Sequence, residues 1–155
     1  MGFNLYIGEF NHEVVYKDRV VLPGVRVEED IGPLNSSDRR DNQCWPGYIA
    51  WHDFCVDVGL LEVFYGGKRC GSPAMVPELF DAGPVHGLLH GLLRRHPGVV
   101  ELLPAHHTAF VEAKLAYAQR PEEEQEEYVT RRLEWLCWWT DWALTECDHP
   151  SFANS

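Results

Sequence analysis

The chain has 155 residues, 45% of them hydrophobic, with 24 acidic against 13 basic side chains and a formal charge of −11. That length predicts one domain with a real core. The charge opposes direct nucleic-acid binding, whose affinity rests on basic groups meeting phosphates, and favours a basic protein partner instead. Met1 to Ile7 lacks a basic stretch followed by a sustained apolar run, so no secretory signal is expected, and no apolar run has the length of a membrane span. The cysteine count is odd and no Cys-x-x-Cys pair occurs among Cys44, Cys55, Cys70, Cys137 and Cys147. Reduced thiols in a cytoplasmic compartment are expected, with a disulfide among Cys44, Cys70 and Cys147 as the alternative.

Phe3, Leu5 and Ile7 alternate with polar or half-polar neighbours, which predicts a first strand with one buried face. Glu13–Lys17, Arg19–Leu22 and Val25–Val27 are short and rich in Val, and suggest further strands in a small antiparallel sheet. Residues 28–46 are polar, with Gly, Pro, Asn and Ser, and read as a long surface loop of the kind that is functional or mobile. A helix is expected from about Gly47 to Val58. Tyr48, Trp51, Cys55 and Val58 form its inner face, and Gly59 ends it. Leu60–Tyr65 is a strand or a short helix.

Pro84–His96 reads as the next helix, with Val85, Leu88, Leu89 and Leu92 as its stripe and Pro97-Gly98 as its stop. Val99–Leu103 is a connector or short strand. A further helix starts near Pro104 and runs to Ala118, and the last begins at Pro121 and breaks at Pro150. This last helix organises the chain. Trp135, Trp138, Trp139 and Trp142 fall at i, i+3, i+4 and i+7, a single helical face, beside a second line of Leu133, Leu136, Cys137, Thr140 and Leu144. So wide an apolar surface predicts burial on several sides. Residues 121–150 also hold nine acids against Arg131 and Arg132. The expected fold is α+β: a small N-terminal antiparallel sheet packed on a C-terminal group of about four helices, with the Trp-rich helix central.

Four constellations could carry chemistry. His86 and His90, four apart on the expected helix, have the spacing of metal ligands, but the Glu that supplies the base in zinc proteases is missing; the alternative is a solvated polar face. His96 and His107, at a helix end and a helix start, could form a ligand site, with His106 as third member, or could cap the two helices. His52 and Asp53 are adjacent, so on a helix they diverge by about 100° and cannot form a dyad with each other. Arg39, Arg40, Trp45, Tyr48 and Trp51 combine flat aromatic faces with guanidinium forks, suited to a nucleotide-like ligand; the alternative is that the aromatics are core and the arginines pair with Asp38 and Asp41. No nucleophile elbow and no phosphate loop occurs.

Three functions follow. The leading one is a non-catalytic cytosolic protein, without a cofactor, that captures a small ligand, for which nucleotide-derived chemistry is one candidate, or a protein partner. By analogy alone, immunity proteins and phage proteins with an anti-defence role have this profile. The second is a His-based metal-dependent hydrolase. The third is a structural or assembly subunit in which the acidic helix docks on a neighbour, a homo-oligomer being one form of it.

Overall fold

A computed structural model describes residues 2–9, 32–35, 39–66, 89–93 and 98–154. In chain order its elements are strand β1 (Leu5–Glu9), strand β2 (Gln43–Cys44), helix α1 (Tyr48–Asp57), helix α2 (Leu61–Tyr65), strand β3 (Gly98–Glu101), helix α3 (Pro104–Ala118), a 3-10 turn at Glu122–Glu124, helix α4 (Glu127–Glu146) and strand β4 (Pro150–Asn154). The four strands form one antiparallel sheet in the order β2-β1-β4-β3. The fold is α+β, and α4 packs on the sheet and along α3.

The sheet is not confined to the N-terminal part of the chain. β4, from the extreme C-terminal region, pairs with β1 through Leu5↔Asn154 and Ile7↔Phe152 and with β3 through Val100↔Phe152. Side chains alternate across a strand, so this register gathers Leu5, Ile7, Val100 and Phe152 on one face, where all four join the main core. Tyr6, Val99 and Ala153 group on the other face.

The main core is aromatic, and its middle is Phe64 of α2. That ring meets Trp51 of α1 at 5.2 Å, Phe110 of α3 at 5.6 Å and Phe152 of β4 at 5.5 Å between centroids. Edge and offset-stacked contacts of this kind add to the area each ring removes from water. α4 closes the core with Leu133, Trp135, Leu136, Trp139 and Ala143. Its 20 residues contain neither Gly nor Pro, so nothing interrupts the ladder.

Two expectations need correction. The Pro84–His96 helix does not extend through residues 89–93, which form a turn: Gly91 has φ +83°, and Gly91, Leu92 and Leu93 donate to the carbonyls of Val63 and Phe64. A residue in the left-handed region breaks a helix, and here the freed amides find partners on α2. The tryptophan face of α4 is also divided. Trp135 and Trp139 are buried, Trp142 is half-buried and Trp138 is 37% exposed. The buried arc is centred on Leu136 and Trp139, so Trp138 falls at its rim. The expected strands at 13–27 lie outside the described residues.

Candidate functional site

The stretch before α1 reads as a polar surface loop, yet its described residues are pinned to β1 and to α4. Asn35, Asp41, Asn42 and Gln43 are all buried. A buried polar side chain is tolerated only when hydrogen-bonded, and the bonds are present. Asn35 Nδ2 donates to the carbonyl of Gln43 at 2.9 Å, and Asn35 Oδ1 accepts from the Arg39 amide at 3.0 Å. Asn42 Nδ2 donates to Ile7 at 2.9 Å and Gln43 Nε2 to the Tyr6 hydroxyl at 2.6 Å, which ties the stretch to β1. Trp135 Nε1 donates to the carbonyl of Asp41 at 2.9 Å, which ties it to α4.

On this base sits a small platform. The Arg39 guanidinium pairs with the Asp41 carboxylate and lies 4.4 Å from the centroid of Trp45, which is itself 41% exposed. Arg40 is exposed and donates to the carbonyl of Gly32 at 3.4 Å. Tyr48 is half-buried and stacks on Phe3 with centroids 4.9 Å apart. Trp51 takes the core alternative rather than the ligand-stacking one: it is fully buried, edge-on to Phe3 at 6.5 Å and against Phe54 at 4.9 Å. An indole enclosed by core rings offers no face to a ligand. Of the five residues expected to converge, Arg39 and Trp45 are in contact, while Tyr48 stacks on Phe3 and Trp51 lies in the core.

The histidines distribute differently. His90 is exposed and His107 half-buried, while His86 and His96 lie outside the described residues. His106 is the one built into the fold. Its Nδ1 accepts the Leu103 amide at 2.9 Å, one of the amides left over at the start of α3, and its Nε2 lies 3.2 Å from the carbonyl of Leu89. An Nδ1 that accepts leaves the proton on Nε2, which then donates to Leu89. His106 therefore caps α3 and staples the 89–93 turn to it. His52 and Asp53 approach to 3.7 Å between Nδ1 and Oδ1, closer than their expected divergence but beyond a hydrogen bond. Among the described residues, no three His, Cys, Asp or Glu side chains converge on a point that could hold a metal.

Comparison with protein-family models, curated proteins and solved structures found no match.

A second surface was not anticipated, although its signal lay in the sequence. Once Trp51, Phe54, Cys55 and Val58 of the α1 segment turn inward, the opposite face carries Ile49 and Val56, seven residues apart; they are 79% and 55% exposed. Tyr128 of α4 flanks this face and is 46% exposed. Arg132 joins the two helices. Its guanidinium donates to the carbonyl of Ala50 at 3.1 Å and lies 5.3–5.5 Å from the rings of Tyr128, Phe54 and Trp51. Burial lowers the pKa of its guanidinium and raises those of the neighbouring Cys44 and Cys55 thiols. Among the described residues, no helix is long and apolar enough to cross a membrane.

Proposed function

We propose that this chain is a non-catalytic binding protein whose target is another protein, engaged through Trp45 and Arg39. The observation that supports it is an exposed aromatic on a rigid base: Trp45 stands at 41% exposure, held by the Arg39 guanidinium, on a stretch pinned to β1 and α4. Trp and Arg dominate the energy of protein interfaces, and a preordered anchor loses little entropy on binding. A small flat ligand is the weaker candidate, because Trp51 is enclosed in the core and Asp41 already occupies the Arg39 fork. Cys44, Cys55, Cys137 and Cys147 are free thiols, which fits a reducing, cytoplasmic setting. A role as an immunity or anti-defence antagonist is compatible with this reading and rests on analogy.

The test is a paired capture from source-cell extract with the wild-type chain and Trp45→Ala, followed by calorimetry of each chain with the recovered protein and with a nucleotide panel. The reading predicts equal unfolding midpoints, a protein recovered by the wild type and lost by Trp45→Ala, and no heat with nucleotides. Saturable nucleotide binding, or capture indifferent to Trp45, would overturn it.

A further inference from the structure

The outer face of α1 does no work inside the fold, yet it is the most exposed apolar ridge among the described residues. Ile49 and Val56 stand 79% and 55% exposed on the side away from Trp51, Phe54 and Cys55. Tyr128, from α4, extends the ridge on one flank, where Arg132 ties α4 to the Ala50 carbonyl. The helix spans ten residues, roughly 15 Å of axis, and Ile49 and Val56 lie two turns apart along it.

Charge surrounds the ridge. The Asp53 side chain stands between Ile49 and Val56 and is 75% exposed. The chain leaving α3 is anchored against the end of α1, because Arg120 grips the Asp57 carboxylate at 2.8 Å and its carbonyl at 2.6 Å. That anchor brings the 122–126 segment alongside. Its Glu122, Glu123 and Glu126 form no ion pair with Lys or Arg among the described residues, whereas Asp57 and Glu127 pair with Arg120 and Arg131, and Glu124 lies within the field of Arg120. Burial raises the pKa of the Tyr128 phenol, and the Glu126 and Asp57 carboxylates raise it further.

We infer that the α1 face, with Tyr128 and the 122–126 glutamates, is a docking surface for a partner protein's basic amphipathic helix, one whose apolar stripe is flanked by Lys or Arg. An apolar ridge on one helix is complemented by the groove of another, and an amphipathic helix presents its anchors at the spacing of Ile49 and Val56. Charge chooses among occupants. Phosphate backbones and anionic lipid are repelled by the glutamates. A second copy of this chain would set the same acids against each other, which costs association rather than aiding it. This inference rests on the protein-binding reading above and adds the chemistry of the partner at a surface separate from Trp45.

The probe is a synthetic peptide of Leu and Lys in helical pattern, about five turns long so that it spans α1, titrated into the isotope-labelled full chain with amide shifts recorded. Controls are a scrambled peptide of the same composition and a Leu/Glu peptide. Saturable binding is expected, with shifts centred on Ile49, Asp53, Val56 and Tyr128. Ile49→Gln with Val56→Gln should weaken it by roughly tenfold or more, and Asp53→Lys should weaken it and reduce its salt dependence. Gln is a good helix former and all three positions are exposed, so the variants should fold, with circular dichroism as the check. Should the double Gln variant unfold, Asp53→Lys alone decides. No saturable binding, equal binding of the scrambled or the Glu peptide, or an unaffected variant would overturn the inference. Failure here with Trp45-dependent capture intact removes only the α1 surface; loss of both removes the binding reading itself.

Discussion

The indole N–H of Trp135 donates to the main-chain carbonyl of Asp41 at 2.9 Å, in a fully buried contact across 94 residues of sequence. This bond joins the central helix to the stretch that carries Arg39 and Trp45, so the scaffold indole and the exposed one belong to a single arrangement. Trp135→Phe keeps most of the ring and removes the donor, leaving a buried carbonyl short of a partner. The expected cost is about 1–3 kcal/mol, read from the midpoint of urea unfolding. A variant as stable as the wild type would show that the bond holds nothing.

Neighbouring tryptophans on α4 should differ in cost. Trp139 is fully buried, and its replacement by Ala should cost about 3–5 kcal/mol. Trp138 is 37% exposed and touches Trp139 edge-on, so Trp138→Ala should cost below about 1.5 kcal/mol. Denaturant titration of the two variants side by side measures the contrast. Equal costs would contradict the assignment of Trp138 to the rim.

Gly32 lies so close to Trp139 that an added Cβ would stand 2.7 Å from the indole. No real Cβ sits at that distance, and a fully buried ring has no room to retreat. Gly32→Ala should therefore destabilise by about 1–3 kcal/mol, and Trp139→Phe, which removes the pyrrole ring, should recover part of the loss in the double variant. Independent, additive effects would mean that the two residues do not meet.

The cap made by His106 can be separated from its bulk. His106→Ala removes the acceptor for the Leu103 amide and should cost about 1–3 kcal/mol. His106→Asn places an oxygen near Nδ1 and should recover the cap while losing the bond to Leu89. Amide exchange at Leu103 is the readout, fast in the Ala variant and slow in the Asn variant. Equal exchange in both would show that the ring acts only by filling space.

The thiols predict a pH dependence. Burial, joined by the nearby Glu9 carboxylate, pushes Cys147 up to about 12, and burial pushes Cys137 up to about 11; Cys44 and Cys55 also move upward. The ordinary value in the unfolded chain is 9.0. The folded state therefore keeps protons that the unfolded state releases, so stability is unaffected by these groups below pH 9 and falls as pH rises from about 9 toward 12. Urea midpoints across that window should drop, and Cys137→Ala with Cys147→Ala should flatten the drop. Identical slopes would remove Cys137 and Cys147 as its cause.

Much of the helical layout was legible because it rests on local signals. The inner face of α1 follows from the spacing of Trp51, Cys55 and Val58, and the start of α3 from Pro104. β1 follows from the alternation of Phe3, Leu5 and Ile7. β4 was not legible. Phe152 is flanked by Ala153 and Asn154, which have weak strand propensity, and by Pro150, so the strand conformation is imposed by pairing with β1 and β3. The divided tryptophan face of α4 was hidden for a similar reason, since periodicity places four indoles on one side but not the edge of the neighbour that covers them. In the candidate site, the pairing of Arg39 with Asp41 was visible from proximity in sequence. The burial of Asn35, Asn42 and Gln43 was not, because their partners are Ile7 and Tyr6 of β1 and Arg39 and Gln43 of the same stretch.

The central claim is a division of labour among six tryptophans, with Trp51, Trp135 and Trp139 as scaffold and Trp45 as the exposed anchor. The most direct measurement is the fluorine NMR spectrum of the chain labelled with 5-fluorotryptophan, recorded in light and in heavy water and assigned with single Trp→Phe variants. Solvent isotope shifts should appear for Trp45 and Trp138 and vanish for Trp51, Trp135 and Trp139. A shift at Trp51 or Trp135, or none at Trp45, would contradict the account.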